Sequence, residues 1–270
     1  MNAVKINIPS EEYRSRKELS RSDLFKLSKS PAHFIYALKN PQEETTAMIF
    51  GTAFHTLVLE PEKFEDTYIT VPKIDRRTKE GKAQAEETER SGKIPLTEET
   101  VSQLRSMRAS VMSNKYAEIL LRGEKEQSYF WTDNLSGIDL KCRPDCRTDL
   151  KTMSVIVDLK TTENAATEAF MRSALSYGYD LQAAMYKQGV ETFEEKPHKF
   201  VFIAVEKSPP YACNIIEADD VFVGKGSCDL RDYLYTVKKC RASGNWYGYN
   251  GADGSPNVMG LPAWLAKEYE

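Results

Sequence analysis

Apolar residues recur at helical spacing through much of the first 122 positions and at strand spacing through much of the remaining chain. Leu24, Phe25 and Leu27 make a short apolar stripe over 20–30; Ser20 or Ser22 is placed to cap it, and Pro31 ends it or starts a second helix over 32–38. A stronger helix is predicted over 45–59, closed by Pro61. Another is predicted over 98–122, where Val101, Leu104, Met107, Val111 and Ile119 share a face. The period then shortens. Residues 127–132 read as a strand, 134–137 as a turn and 138–143 as the returning strand. Residues 153–159 are continuously apolar and β-branched, the pattern of a strand covered on both sides. A long helix over 167–193 turns Phe170, Ala174, Leu181, Ala184 and Met185 inward. Strands over 199–205 and 211–216 and a helix over 220–242 complete the pattern. Residues 1–18 are polar and expected to be loosely ordered, and 71–94, charged and aperiodic, read as a long loop. The segment 244–270 sets Trp246, Tyr247, Tyr249 and Trp264 among glycines and prolines and has no assignable period.

Helices first, then strands interleaved with helices, predict an α/β fold: a central mixed β-sheet flanked by helices, with a helical N-terminal part. The 270 residues suit one large domain, with a helical part at about 19–122, an α/β core at about 123–243 and the tail 244–270. At 41% hydrophobic and 29% charged residues, the chain can bury a core beneath a charged surface. No apolar run is long enough for a membrane span, and the first twenty residues lack the apolar stretch of a secretory signal, so the cytoplasm is the expected compartment.

Charge narrows the function classes. A net charge of −3 argues against a protein that coats DNA through bulk positive potential, but leaves room for an enzyme with a local basic channel. Basic residues do cluster, at Lys73, Arg76, Arg77, Lys79 and Lys82, and again at Lys141, Arg143, Arg147 and Lys151. Each cluster is either a solvated face or a set of phosphate contacts. Five scattered cysteines make a poor disulfide framework. Cys142 and Cys146 have no second close pair with which to hold zinc, so reduced thiols are expected.

The sharpest local chemistry is Asp158-Leu159-Lys160, at the end of the β-branched run. Residues two apart on a strand share a face, so Asp158 and Lys160 should lie side by side. Burying both charges is costly unless something uses them. Asp145, thirteen residues upstream and preceded by Pro144, would return beside Asp158 if the next element is the adjacent strand. Two carboxylates facing a lysine form an oxygen-rich cage suited to Mg²⁺, in which Lys160 holds or polarises an attacking water. On these residues alone, a surface salt bridge at a strand end stays open as the ordinary alternative.

Pro144-Asp145 followed by Asp158-Leu159-Lys160 resembles the signature of the PD-(D/E)XK nucleases. Three further pieces are similar to the branch containing the RecB nuclease domain and the lambda-type exonucleases: Gly51-Thr52-Ala53-Phe54-His55, Glu126, and Gln182 with Tyr186 four residues on. With Leu19 to Leu27 and Ser30 to Phe34 added, the chain looks most like nuclease domains of the RecE (exonuclease VIII) type. The resemblance implies a restriction-endonuclease-like core. It implies a divalent cation, Mg²⁺ or Mn²⁺, held by His55, Asp145, Asp158 and the backbone carbonyl of Leu159, with Lys160 catalytic. Glu126 would be a second-site carboxylate or water orienter, and Gln182 and Tyr186 would support the site or touch DNA. The implied activity is 5′-to-3′ exonucleolytic degradation of linear double-stranded DNA, leaving 3′ tails for recombination. A ring-shaped homo-oligomer and a single-strand annealing partner go with it. A restriction-type endonuclease and a catalytically silent DNA-binding module of the same fold remain open. Imidazole is unusual for Mg²⁺, and on chemistry alone His55 reads as a hydrogen-bonded core histidine and Tyr186 as a core aromatic. From charge placement, Arg21, Arg76 and Arg77 are candidates to grip the strands or the 5′ end.

Overall fold

A computed structural model of the chain describes residues 3–72, 78–194 and 196–267. The first part runs β1 (Val4–Ile6), α1 (Ser10–Ser15), α2 (Arg21–Leu24), α3 (Pro31–Lys39), α4 (Thr46–Leu59) and α5 (Phe64–Thr67). β2 (Tyr68–Val71) and β3 (Ile94–Thr97) flank α6 (Lys79–Ser91), and α7 (Glu98–Ser113) and α8 (Lys115–Leu120) come next. The second part is β4 (Glu124–Lys125), β5 (Ser128–Thr132), β6 (Asp139–Cys142), β7 (Cys146–Asp149), β8 (Ser154–Thr162), α9 (Thr167–Ser176), α10 (Tyr179–Glu191), β9 (His198–Glu206), β10 (Cys213–Ala218), α11 (Asp220–Ser243) and α12 (Ala263–Ala266). Among the described residues, no helix is long and apolar enough to cross a membrane.

The main sheet has the order β10-β9-β8-β7-β4. Only β8 and β9 run parallel in it, so the sheet is mixed. Alternation along the two central strands divides the core. Ile156, Phe200, Phe202 and Ala204 face one cluster with Leu181 and Met185 of α10 and Leu230 and Leu234 of α11. Val155, Val157, Leu159, Val201, Ile203 and Val205 face the other, with Phe54, Leu57 and Val58 of α4 and Leu104 and Met107 of α7. Both faces are covered, so the strands read as continuous apolar runs rather than alternating ones. The predicted hairpin exists, but β5 and β6 form a separate small sheet with β1.

Several elements depart from the pattern-based expectation. Residues 4–15 are tied down rather than loose: β1 pairs antiparallel with β5, and Lys141 Nζ donates to the carbonyls of Tyr13 and Arg16 at 2.9 and 2.6 Å. Most of the predicted loop 71–94 is helix. α6 has Thr78 as N-cap and Gly92 as a left-handed C-cap, and its Lys, Glu, Ala and Gln residues are strong helix formers without an apolar stripe to betray them. The strand β7 has no counterpart in the sequence reading, because Cys146-Arg147-Thr148-Asp149 is short and half polar. The long helix breaks after Ser176. Gly178 adopts φ +67°, and a Cβ there would come within 2.4 Å of the Phe25 ring. In the tail, Trp246 stacks on Phe34 at 5.5 Å, and the Ala32 N–H donates to the Tyr247 carbonyl at 3.0 Å.

Candidate active site

The site forms where the sheet comes apart. β7 pairs with β8 from Asp149↔Ser154 to Cys146↔Val157 and then ends, while β8 stays paired to β9 as far as Thr162. The side of β8 beyond Val157 therefore loses its strand partner. The first freed donor, the Leu159 N–H, turns to the Asp145 carboxylate instead, at 2.6 Å from Oδ2. Asp145 reaches it because the turn after β6 leads straight into β7. The expected proximity of Asp145 to the Asp158 strand is present, with β7 as the element that creates it.

Asp158 and Lys160 share the α10 face of β8, as strand periodicity requires. Asp158 is 2% exposed, and its Oδ2 forms an ion pair with Lys160 Nζ. That oxygen accepts no hydrogen bond of ordinary geometry. Oδ1 accepts from Gln182 Nε2. Arg21 in turn donates to Gln182 Oε1 at 3.2 Å and to the Tyr177 carbonyl at 3.1 Å. The Lys160 ammonium lies 4.6 Å from the centroid of the Tyr179 ring. The pair is thus buried within a polar network, unlike the exposed strand-end salt bridge that was the plainer alternative. α10 presents Gln182 because α11 presses against it: a Cβ on Gly226 would sit 1.9 Å from the Asp180 carbonyl oxygen.

On the other side of β8, α4 contributes His55. Its Nε2 lies 3.1 Å from Asp145 Oδ2, and its Nδ1 lies 2.8 Å from the Gly51 carbonyl. A carbonyl only accepts, so Nδ1 carries a proton and Nε2 is the nitrogen aimed into the site. Glu126 links β4 to β5 with φ +54°, a left-handed conformation that costs a non-glycine residue about 1 kcal/mol or more. Its N–H donates to the Asp145 carbonyl at 3.2 Å, and its carboxylate lies 3.9 Å from Arg143 Nη1. His55, Glu126, Glu60 and Arg143 line a cleft of about 700 Å³, walled by residues 7–11 and the outer face of α4.

The electrostatics couple these groups. Burial is the largest influence on His55 and opposes its cationic form, but the Asp145 charge and hydrogen bond outweigh it and lift the pKa to about 9. Burial likewise acts to raise Asp145, yet His55, Lys160 and the Leu159 N–H hold it below the usual carboxylate range. Asp158 moves the other way: burial and the neighbouring Asp145 charge raise it despite Lys160. Burial, reinforced by Asp145, pushes Glu126 up to about 7.

Among the described residues, no three His, Cys, Asp or Glu side chains converge into a ready ligand cluster. Asp145 closes on His55, and Asp158 on Lys160 and Gln182. The donor set nevertheless fits a divalent cation in kind. It offers a buried and a half-buried carboxylate, an imidazole whose tautomer is fixed by a backbone carbonyl, and a buried Asp158 oxygen without a hydrogen bond. Proton and cation would compete for the same lone pairs.

Tyr186 packs on the core, edge-on to Phe200 at 6.3 Å. Burial raises its pKa well above normal, with the Asp158 charge adding to the effect. Arg21 is brought to the site, but Arg76 and Arg77, with Lys73, lie outside the described residues. The second basic cluster is neither a solvated face nor a phosphate comb. Lys141 and Arg147 are buried, and Arg143 donates to Ser128 Oγ and the Ile8 carbonyl. Arg147 pairs with Glu194 and Asp149 at 2.7 and 3.0 Å. All five cysteines are free thiols. Sequence reasoning missed Tyr179, although its position three residues before Gln182 was a usable signal.

Comparison with known proteins bears on the family and the fold. Residues 20–252 match the sequence family described as a PDDEXK-like domain of unknown function (DUF3799). No curated protein matches the chain by sequence. A crystal structure of a candidate exonuclease from Eubacterium rectale shares the fold with a TM-score of 0.62 at 16% identity, covering 97% of this chain and 98% of that one. The structure of SSO0001 superposes more loosely, with a TM-score of 0.37 at 12% identity over 84% of this chain and 81% of that one.

Proposed function

Because the chain belongs to the PDDEXK-like DUF3799 family, we propose that it is a divalent-metal-dependent deoxyribonuclease built around Asp145, Asp158 and Lys160. The observation that carries the reading is the buried Asp158–Lys160 pair at the point where β7 leaves β8, with the Asp145–His55 pair across the same strand. Asp145, Asp158, His55 and the Leu159 carbonyl would hold the cation, Mg²⁺ or Mn²⁺. Such an ion acidifies a water and neutralises charge developing on the phosphate.

The protein's own groups supply the rest. Lys160 orients the attacking water, and its ammonium is held by Asp158 on one side and the Tyr179 ring on the other. Gln182 fixes the Asp158 carboxylate, with Arg21 fixing Gln182 in turn. Glu126, with a pKa of about 7, takes or returns a proton at the mouth of the cleft. Hydrolysis leaves a 5′-phosphate.

The finer reading is of one nuclease unit that degrades linear double-stranded DNA from its ends, 5′ to 3′, and leaves 3′ tails for recombination. It would act as a ring-shaped homo-oligomer alongside a single-strand annealing protein. The motif order His55, Glu126, Asp145, Asp158, Lys160, Gln182, Tyr186 supports this RecE-like assignment. Digestion of linear, nicked and circular duplexes, with and without EDTA, tests it. Loss of linear substrate alone, abolished by EDTA and by Lys160→Ala, is the expected result. Cutting of closed circles would instead mark a restriction-type endonuclease, and cutting that survives EDTA would remove the metal from the proposal.

A further inference from the structure

We infer that Tyr177 and Tyr179 form an aromatic shelf that stacks an unpaired base of the strand being cut, with Tyr179 also positioning Lys160. The inference rests on the nuclease reading above and adds a determinant of substrate form: a free or frayed strand rather than an intact duplex.

The shelf is a product of the helix break. In a continuous helix, residues two apart point about 200° away from each other. Gly178, held in the left-handed region against Phe25, instead lets Tyr177 and Tyr179 come together, with ring centroids 5.9 Å apart and planes 31° from parallel. The two rings differ in exposure. Tyr179 is half-buried, packed on Phe170 and Phe202 at 6.1 and 5.9 Å, with Lys160 Nζ 4.6 Å from its centroid. Tyr177 is 60% exposed. Arg21 completes the group, with its guanidinium 5.8 Å from the Tyr179 centroid.

An exposed ring laid against a second ring that itself meets two cations, Arg21 and Lys160, suits one ligand class. Bases offer a π-face to Tyr177, and the adjoining phosphate offers charge to Arg21 and Lys160. A base stacked between neighbours inside a duplex has no free face, so the shelf can take a base only at a duplex end or from an unpaired strand. Core packing alone accounts for Tyr179 but not for an exposed ring laid beside it.

Hairpin duplexes carrying 2-aminopurine as the 5′- or 3′-terminal base test this, in EDTA at saturating protein. With the parent and Tyr177→Phe, fluorescence of one of the two probes should be quenched. Tyr177→Ala should abolish the quenching and, with Mg²⁺ restored, raise KM about tenfold, more than it lowers kcat. Tyr179→Leu should lower kcat about tenfold, and Tyr179→Phe, which keeps the ring face, should restore it. Quenching of neither probe by the parent, or unchanged quenching in Tyr177→Ala, overturns the shelf. Quenching by a parent that cuts nothing overturns the nuclease reading instead and leaves the shelf standing.

Discussion

Asp145, half-buried, and Asp158, buried, meet on the same strand, yet the protein treats them oppositely. Asp145 sits on the α4 side and collects favourable partners: the Leu159 N–H, the His55 ring and the field of Lys160. Its charged form is stabilised and its pKa falls. Asp158 sits on the α10 side, with Lys160 and Gln182 as partners, and also bears the repulsion of Asp145. Its charged form is disfavoured and its pKa rises. The fold favours the charged form of one carboxylate and disfavours that of the other. On the proposed function, a cation bound at Asp158 would relieve that second condition.

The contrast can be attacked directly. The largest expected effect is on catalysis: Lys160→Ala should cut single-turnover cleavage of linear duplex by about 10³-fold, since among the described residues no other amine meets Asp158 at Oδ2. Next comes stability without metal. In EDTA, Asp145→Asn should destabilise the chain by about 1–3 kcal/mol, because it strips the partner from His55, whereas Asp158→Asn, which strips Lys160 but removes a carboxylate whose charged form burial disfavours, should cost less. Urea unfolding measures both, and equal losses would dissolve the contrast. A pH series gives a smaller signal. The folded-state pKa of His55, about 9, lies above its ordinary 6.5. The stability that His55 adds is therefore complete below about 6.5 and fades as pH rises through 9. The gap between parent and His55→Gln in EDTA should narrow over that window, while the Asp145 contribution, from a depressed pKa, should be lost only on acidification. A flat difference would show that the Asp145–His55 pair does not form in solution. Smallest should be Gln182→Ala, which leaves Asp158 Oδ1 without its donor and lifts the Asp158 pKa further. About a tenfold loss in kcat is expected, with the acid limb of the pH–rate profile moving to higher pH.

The helical network around Asp158 was partly visible beforehand and the cleft around His55 hardly at all. Asp158 and Lys160 are two residues apart on a strand, and Gln182 and Tyr186 four apart on a helix, so local periodicity placed each pair on a common face. Their inward direction was visible too, in the β-branched run 153–159 and the apolar stripe of 181–185. By contrast, nothing local relates His55 to Asp145. Their meeting depends on how α4 lies against β8, and it entered the sequence reading only through resemblance to known nucleases. The basic cluster at 141–147 misled for the same reason. Charge is read along the chain, but Lys141 is bound by carbonyls and Arg147 by a carboxylate far from them in sequence.

The sequence alone determined the α/β class, the central buried strand and the adjacency of Asp158 and Lys160, because each arises from repeat periods of two or 3.6 residues that need no distant partner. Tertiary structure alone decided the rest: that β7 stops at Val157 and surrenders the Leu159 N–H to Asp145, that His55 is held against that carboxylate, and that the chain breaks at Gly178 to bring two tyrosines beside the lysine. Those outcomes rest on contacts between residues from about a dozen to more than a hundred positions apart, whose energies no local pattern encodes.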